Sequence, residues 1–134
     1  DDALGFPCKA RADIVNHELK IIADLKTTQD AGAIGFSKAI ANYRYYWQAY
    51  WYRRGMKRLT GADPYAFIFV PQEKAAPYAV AAYLASEQML YKAHLEIEEM
   101  LLMFADCWKS NRWPAYPDRV MEIELPRWAQ GIQE

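Results

Sequence analysis

The run Ile21-Ile22-Ala23-Asp24-Leu25-Lys26-Thr27-Thr28 constrains the fold more than any other stretch of the chain. β-Branched isoleucines open it and polar residues close it, so it predicts a strand that is mostly buried and becomes polar at its far end. Positions two apart on a strand share a face. Asp24 and Lys26 therefore project into one space, with Leu25 packing behind them. A second acid, Asp13, lies in Lys9-Ala10-Arg11-Ala12-Asp13-Ile14-Val15, which is read as a first strand over 8–15. The polar Asn16-His17-Glu18 between the two runs has turn chemistry, and a hairpin there brings Asp13 beside Asp24. Arg11 shares a face with Asp13 and is expected to pair with it, although the same position would also reach a phosphate.

Carboxylates and a lysine converging at one strand end suit a hard divalent cation acting on a phosphodiester. Asp13 and Asp24 supply the oxygen ligands that Mg²⁺ prefers, with Mn²⁺ as the alternative, and the Leu25 carbonyl is a further ligand. Lys26 would orient a water or offset charge on the scissile phosphate. Taken alone, an Asp-x-Lys pair on a strand is more often a solvated edge or a surface ion pair.

Downstream, Thr27-Thr28-Gln29-Asp30 is a polar bridge of N-cap residue types, and one long helix is expected over 31–59, regular from about Phe36. Phe36, Ile40, Tyr43, Trp47 and Tyr50 or Trp51 recur as a buried face requires. Gln48 and Tyr52, four apart, share one side of it. By spacing alone Gln48 reads as solvated and Tyr52 as core. The helix ends in Arg53, Arg54, Lys57 and Arg58, a cluster that fits either a solvated, dipole-compatible face or a rim that tracks a nucleic-acid backbone.

The apolar run 65–70 is placed at the sheet centre with both faces covered, 71–77 as a connection and 78–84 as a further strand. Ser86 caps a last long helix with an apolar stripe from Met89 to Trp108, on which His94 reads as a surface or packing residue. The tail from Trp113, with its prolines and tryptophans, is expected to lie across the body or a neighbouring subunit. The order strand, strand, helix, strand, strand, helix gives an α/β sandwich with a mixed sheet.

With 134 residues the chain fits one domain, 1–134, and 53% apolar residues supply a core. The balance of 16 basic to 17 acidic residues gives no global pull toward nucleic acid, so any such affinity must be local. Cys8 and Cys107 read as reduced, buried or half-buried thiols rather than a disulfide framework. Lacking a spanning-length apolar run and a leader pattern, the chain reads as cytoplasmic with no membrane contact.

Asp13, then Asp24-Leu25-Lys26-Thr27-Thr28, then Gln48-Ala49-Tyr50-Trp51-Tyr52 reproduce in order the D, (D/E)-x-K and Q-x-x-x-Y motifs. In this the chain resembles the PD-(D/E)XK nucleases of the RecB type, whose core is restriction-endonuclease-like, a central mixed sheet flanked by helices. Ala12-Asp13, the run from Ile22 to Ala31, Tyr43-Arg44-Tyr45-Tyr46-Trp47-Gln48, Trp113-Pro114 and Leu125-Pro126-Arg127-Trp128-Ala129 look like the C-terminal nuclease domain of the exonuclease VIII (RecE) family.

That resemblance implies a metal-dependent exodeoxyribonuclease that enters at double-stranded DNA ends and leaves a 3′ overhang for a single-strand annealing partner, working as a homo-oligomeric ring. It implies Asp13 and Asp24 as metal ligands, Lys26 in catalysis, Gln48 and Tyr52 facing the site, and Thr28, Arg44, Arg53, Arg54, Lys57 and Arg58 toward DNA. Family domains carry a helical part before the first strand, and nothing here matches it, so an N-terminal part of the core is expected to be missing. Relatives with an iron–sulfur cluster need four cysteine ligands, more than this chain holds. The rival readings are a non-catalytic DNA-binding or assembly module of the same fold and a RecB-type endonuclease.

Overall fold

The computed structural model describes residues 4–61 and 65–131; the expected loop at 60–64 falls largely outside them. In chain order the elements are β1 (Ile14–Asn16), β2 (Ile21–Thr28), α1 (Ala33–Asn42), α2 (Tyr45–Thr60), β3 (Ala66–Glu73), β4 (Tyr83–Leu84) and α3 (Glu87–Ser110). The sheet order is β1-β2-β3-β4, with β2 and β3 parallel and the outer pairs antiparallel. The result is the expected α/β fold, a mixed sheet flanked by helices.

The hairpin forms in the register Ile14 to Ala23, which puts Asp13 opposite Asp24, one residue beyond the last pair. Asn16 Oδ1 accepts from the Leu19 amide at 2.8 Å and fixes the turn. The first strand is much shorter than the expected 8–15. Its ladder stops because the Asp13 carboxylate, rather than a backbone carbonyl, takes the Leu25 amide at 3.0 Å. Asp13 is thereby turned to the Leu25 amide rather than to Arg11. The preceding segment rests on α2 instead, where Trp51 Nε1 donates to the Lys9 carbonyl at 3.1 Å.

The single helix over 31–59 is two helices. Arg44 stands at φ 54, ψ 38, a left-handed conformation that costs a side-chain-bearing residue about 1–2 kcal/mol. Stacking offsets this cost on both sides of the break: the Arg44 guanidinium lies 4.3 Å from the Trp47 ring centre, and Tyr43 stacks on Tyr45 at 5.5 Å. The break rotates the apolar face, so Tyr46 and Ala49 are buried while Tyr43 is 70% exposed. Gly35 lies inside α1, where the Asp30 side chain passes close over it to accept from the Gly32 amide at 2.7 Å.

Phe36 from α1 meets Phe69 from β3, which in turn meets Phe67, in a buried aromatic core that includes Ile22. β3 continues through Pro71 to Glu73, beyond the expected end at 70, because its Pro71 carbonyl still accepts from Ala81 at 3.1 Å. The strand over 78–84 shrinks to β4 and one bridge, Gln72 to Val80. Pro77 has no amide to donate and Tyr78 stands at φ 59, so pairing cannot start earlier.

Among the described residues only one sheet face is closed. Ile22, Asp24, Phe67 and Phe69 are buried on it, whereas Leu25 is 52% and Leu84 68% exposed on the other. Leu25 thus does not pack behind the site, and β3 is not covered on both sides. Ser86 caps α3, its side chain accepting from Met89 at 3.2 Å. The tail does not lie across the body: Trp128 is 87% exposed, and Trp113 alone of its tryptophans touches α3, edge-on to Phe104. Cys107 is buried but Cys8 is exposed. No helix among the described residues is long and apolar enough to cross a membrane.

Candidate active site

The inward face of β2 carries Ile22, Asp24 and Lys26 in alternation, and α2 crosses over the polar end of that row. Asp24 is 2% exposed, the one buried charged side chain among the described residues. A buried carboxylate is costly unless it is paired and hydrogen-bonded. Asp24 is paired, and each of its oxygens has one donor: Lys26 Nζ bonds its Oδ2, and Gln48 Nε2 donates to its Oδ1 at 2.8 Å.

Gln48 binds both charges at once. Its Oε1 accepts from Lys26 Nζ at 2.7 Å while its Nε2 also approaches Tyr52 Oη at 3.1 Å. An amide has an acceptor end and a donor end, so one glutamine can bridge an ammonium and a carboxylate where neither a carboxylate nor a lysine could. The structure therefore brings Asp24, Lys26, Gln48 and Tyr52 into one hydrogen-bonded array.

Asp13 reaches β2 by a different route, through the Leu25 amide, and its carboxylate is solvent-accessible. Thr28 ends β2 and turns the chain into α1, its Oγ1 donating to the Asp30 carbonyl at 3.1 Å. Arg44 lies over Trp47 at the start of α2. Arg53 and Arg54 are directed to α3, pairing with Glu87 at 3.2 Å and Glu98 at 2.9 Å. Lys57 and Arg58 are exposed in the last turn of α2. His94 is an exposed residue whose Nδ1 bonds Tyr50 Oη at 2.8 Å.

Two residues near the array escaped the sequence reading. Tyr45 presents its ring to Lys26, 4.8 Å from centroid to Nζ; its spacing of three from Gln48 was the signal available. Glu73 pairs in register with Thr28 and accepts from the Ala31 amide at 3.1 Å, a placement set by parallel pairing across a long connection.

On the α2–α3 seam a tyrosine and a glutamate are shifted in opposite directions. Burial and the Glu98 carboxylate push Tyr50 up to about 12. Hydrogen bonds from Lys92, Trp47 and Tyr46 hold Glu96 down to about 2. Behind Gln48 and Tyr52 this seam opens into an apolar groove of about 780 Å³ with Trp47, Trp51, Phe104 and Trp113 on its walls.

Among the described residues no three His, Cys, Asp or Glu side chains cluster to hold a metal by themselves. Mg²⁺ does not need three, since it is commonly held by one or two carboxylates with water and substrate phosphate completing the shell. A carboxylate has about four acceptor positions, so Asp24 retains capacity beyond its two bonds, and Asp13 is accessible. The donor set is hard oxygen throughout and fits such a cation.

The model of a family described as a PDDEXK-like domain of unknown function, DUF3799, matches residues 1–125. A crystal structure from Eubacterium rectale, described as a "Putative exonuclease", aligns with a TM-score of 0.57 at 19% identity, covering 84% of this chain and 48% of that one. This chain thus spans about half of that protein's length, and at such identity the likeness is one of fold. No curated protein matches.

Proposed function

The chain belongs to the PDDEXK-like family DUF3799, and from that membership we propose that it forms the core of a metal-dependent deoxyribonuclease of the exonuclease VIII type. The observation that carries this reading is the array of Asp24, Lys26, Gln48 and Tyr52, in which a glutamine four residues from a tyrosine on α2 bridges the acid and the lysine of β2. A fold held only for structural reasons has little need to bury a charge network, since well-packed hydrophobic residues often replace one at no loss of stability.

In this reading Asp13, Asp24 and the Leu25 carbonyl hold Mg²⁺ or Mn²⁺. When bound, the cation offsets charge on the scissile phosphate and favours attack by water. Asp24 holds the Lys26 ammonium in place, Lys26 donates toward the phosphate, and Gln48 sets the distance between them. Tyr52 fixes the amide. Arg44, Lys57 and Arg58 face solvent, where a duplex backbone would track, and Thr28 closes the polar end of β2.

Double-stranded DNA ends are the proposed substrate, a 3′ overhang the product, and a homo-oligomeric ring with a single-strand annealing protein the working assembly. The test is digestion of linear and circular duplex DNA, with and without Mg²⁺, by the protein at its full encoded length. Mg²⁺-dependent loss of linear DNA with circles intact supports an exonuclease. Cut circles would indicate a RecB-type endonuclease. A second reading, a non-catalytic binding module, draws on the two protein partners already held by Asp24; binding without digestion would establish it.

A further inference from the structure

We propose that Tyr45 is a positioning residue for Lys26, its ring face holding the ammonium in line between Asp24 and Gln48. This rests on the nuclease reading above, since the ammonium's placement matters to turnover only if Lys26 meets the scissile phosphate. Lysine is a long, flexible stem ending in a point charge with three donors, and fixing it requires restraint from several directions. Asp24 and Gln48 Oε1 restrain it along two of them. The Tyr45 ring, 4.8 Å from Nζ, restrains it along another. A π-face attracts a cation without taking up an N–H, so the remaining donor of Lys26 stays available to a phosphate oxygen. A carboxylate in that place would consume the donor and neutralise the charge.

The ring is itself held. Tyr43 stacks on it at 5.5 Å and 25°, and Phe36 from the core lies at 6.4 Å. Its position depends on the break between the helices: α2 begins at Tyr45 because Arg44 is left-handed, and that reversal sets the phase that places Tyr45 against Lys26 and Gln48 against Asp24. The left-handed residue, the tyrosine and the glutamine thus act as one device for aiming a lysine. Tyr45 touches the ammonium and not the reacting atoms.

The test replaces Tyr45 by Phe, by mono-, di- and trifluorophenylalanine, and by Leu, in the protein at its full encoded length. Fluorine drains the π-face while keeping ring shape, so a packing role would not respond to it. Expected is near-parental kcat for Tyr45→Phe, then a stepwise fall along the fluorine series to a total of roughly two- to thirtyfold with KM unchanged. Ring-current shifts of the Lys26 Hε protons should be upfield in the parent and in Tyr45→Phe and lost in Tyr45→Leu. A flat fluorine series, or unshifted Hε protons in the parent, overturns the proposal. Absence of Mg²⁺-dependent digestion by the parent overturns the nuclease reading and with it the role in turnover; the proton shifts report the ring's hold on the ammonium independently of activity.

Discussion

Replacing Lys26 by Met tests whether the array is a buried ion pair in the energetic sense. The side chains of Asp24 and Lys26 are 2% and 14% exposed, so removing the ammonium leaves a carboxylate in a dry site with Gln48 Nε2 as its remaining donor. Breaking a buried pair from one side costs about 3–5 kcal/mol, and Gln48 Oε1 loses its donor as well. Methionine restores most of the stem's packing, and Asp24 keeps one hydrogen bond, so the lower end, about 3 kcal/mol, is expected. For a chain of this size that is roughly 10 °C in Tm. The double variant Lys26→Met with Asp24→Asn carries no charge and should regain at least half of the loss. Urea unfolding of parent, both single variants and the double closes the cycle. A loss below about 1 kcal/mol for Lys26→Met, or a double variant no more stable than that single, would refute the reasoning.

In turnover, Asp24→Asn should lose both Mg²⁺ affinity by calorimetry and digestion of linear duplex, by about a thousandfold or more, while Lys26→Ala loses digestion alone. Lys57→Glu with Arg58→Glu should weaken binding to duplex ends and flatten its salt dependence by one to two in logarithmic slope, about 0.9 per phosphate contact, as measured by anisotropy. Gly35→Ala should destabilise α1 because the new methyl displaces the Asp30 side chain from the Gly32 amide; in an Asp30→Ala background the same change should stabilise by about 1 kcal/mol in thermal unfolding. The folded-state pKa of Glu96, about 2, lies below its unfolded value near 4.5. Its contribution is therefore full above about pH 4.5 and lost as pH falls toward 2. Glu96→Gln should flatten the stability profile across that window.

Local chemistry was enough to place several parts of this molecule. The isoleucines of β2, the polar turn after Asn16, the apolar run of β3 and the serine before α3 each act within a few residues of themselves, and the hairpin and the α3 cap formed as their residue types require. Asp24 and Lys26 share a face because a strand has a period of two, and Gln48 and Tyr52 because a helix nearly repeats at four. What tertiary structure alone decided was how these pieces meet. Gln48 lies 24 residues from Asp24, and its bond to that acid depends on the phase of α2, which the left-handed Arg44 resets. No periodicity marks such a reversal, because its cost is offset by the stacking of Arg44 on Trp47 and of Tyr43 on Tyr45. The early end of β1 has the same origin, a side-chain carboxylate outcompeting the ladder for the Leu25 amide. In one dimension Arg53 and Arg54 fit either a solvated face or a basic rim; in three they pair with α3, a contact no local pattern shows because the acids that meet them stand 34 and 44 residues away.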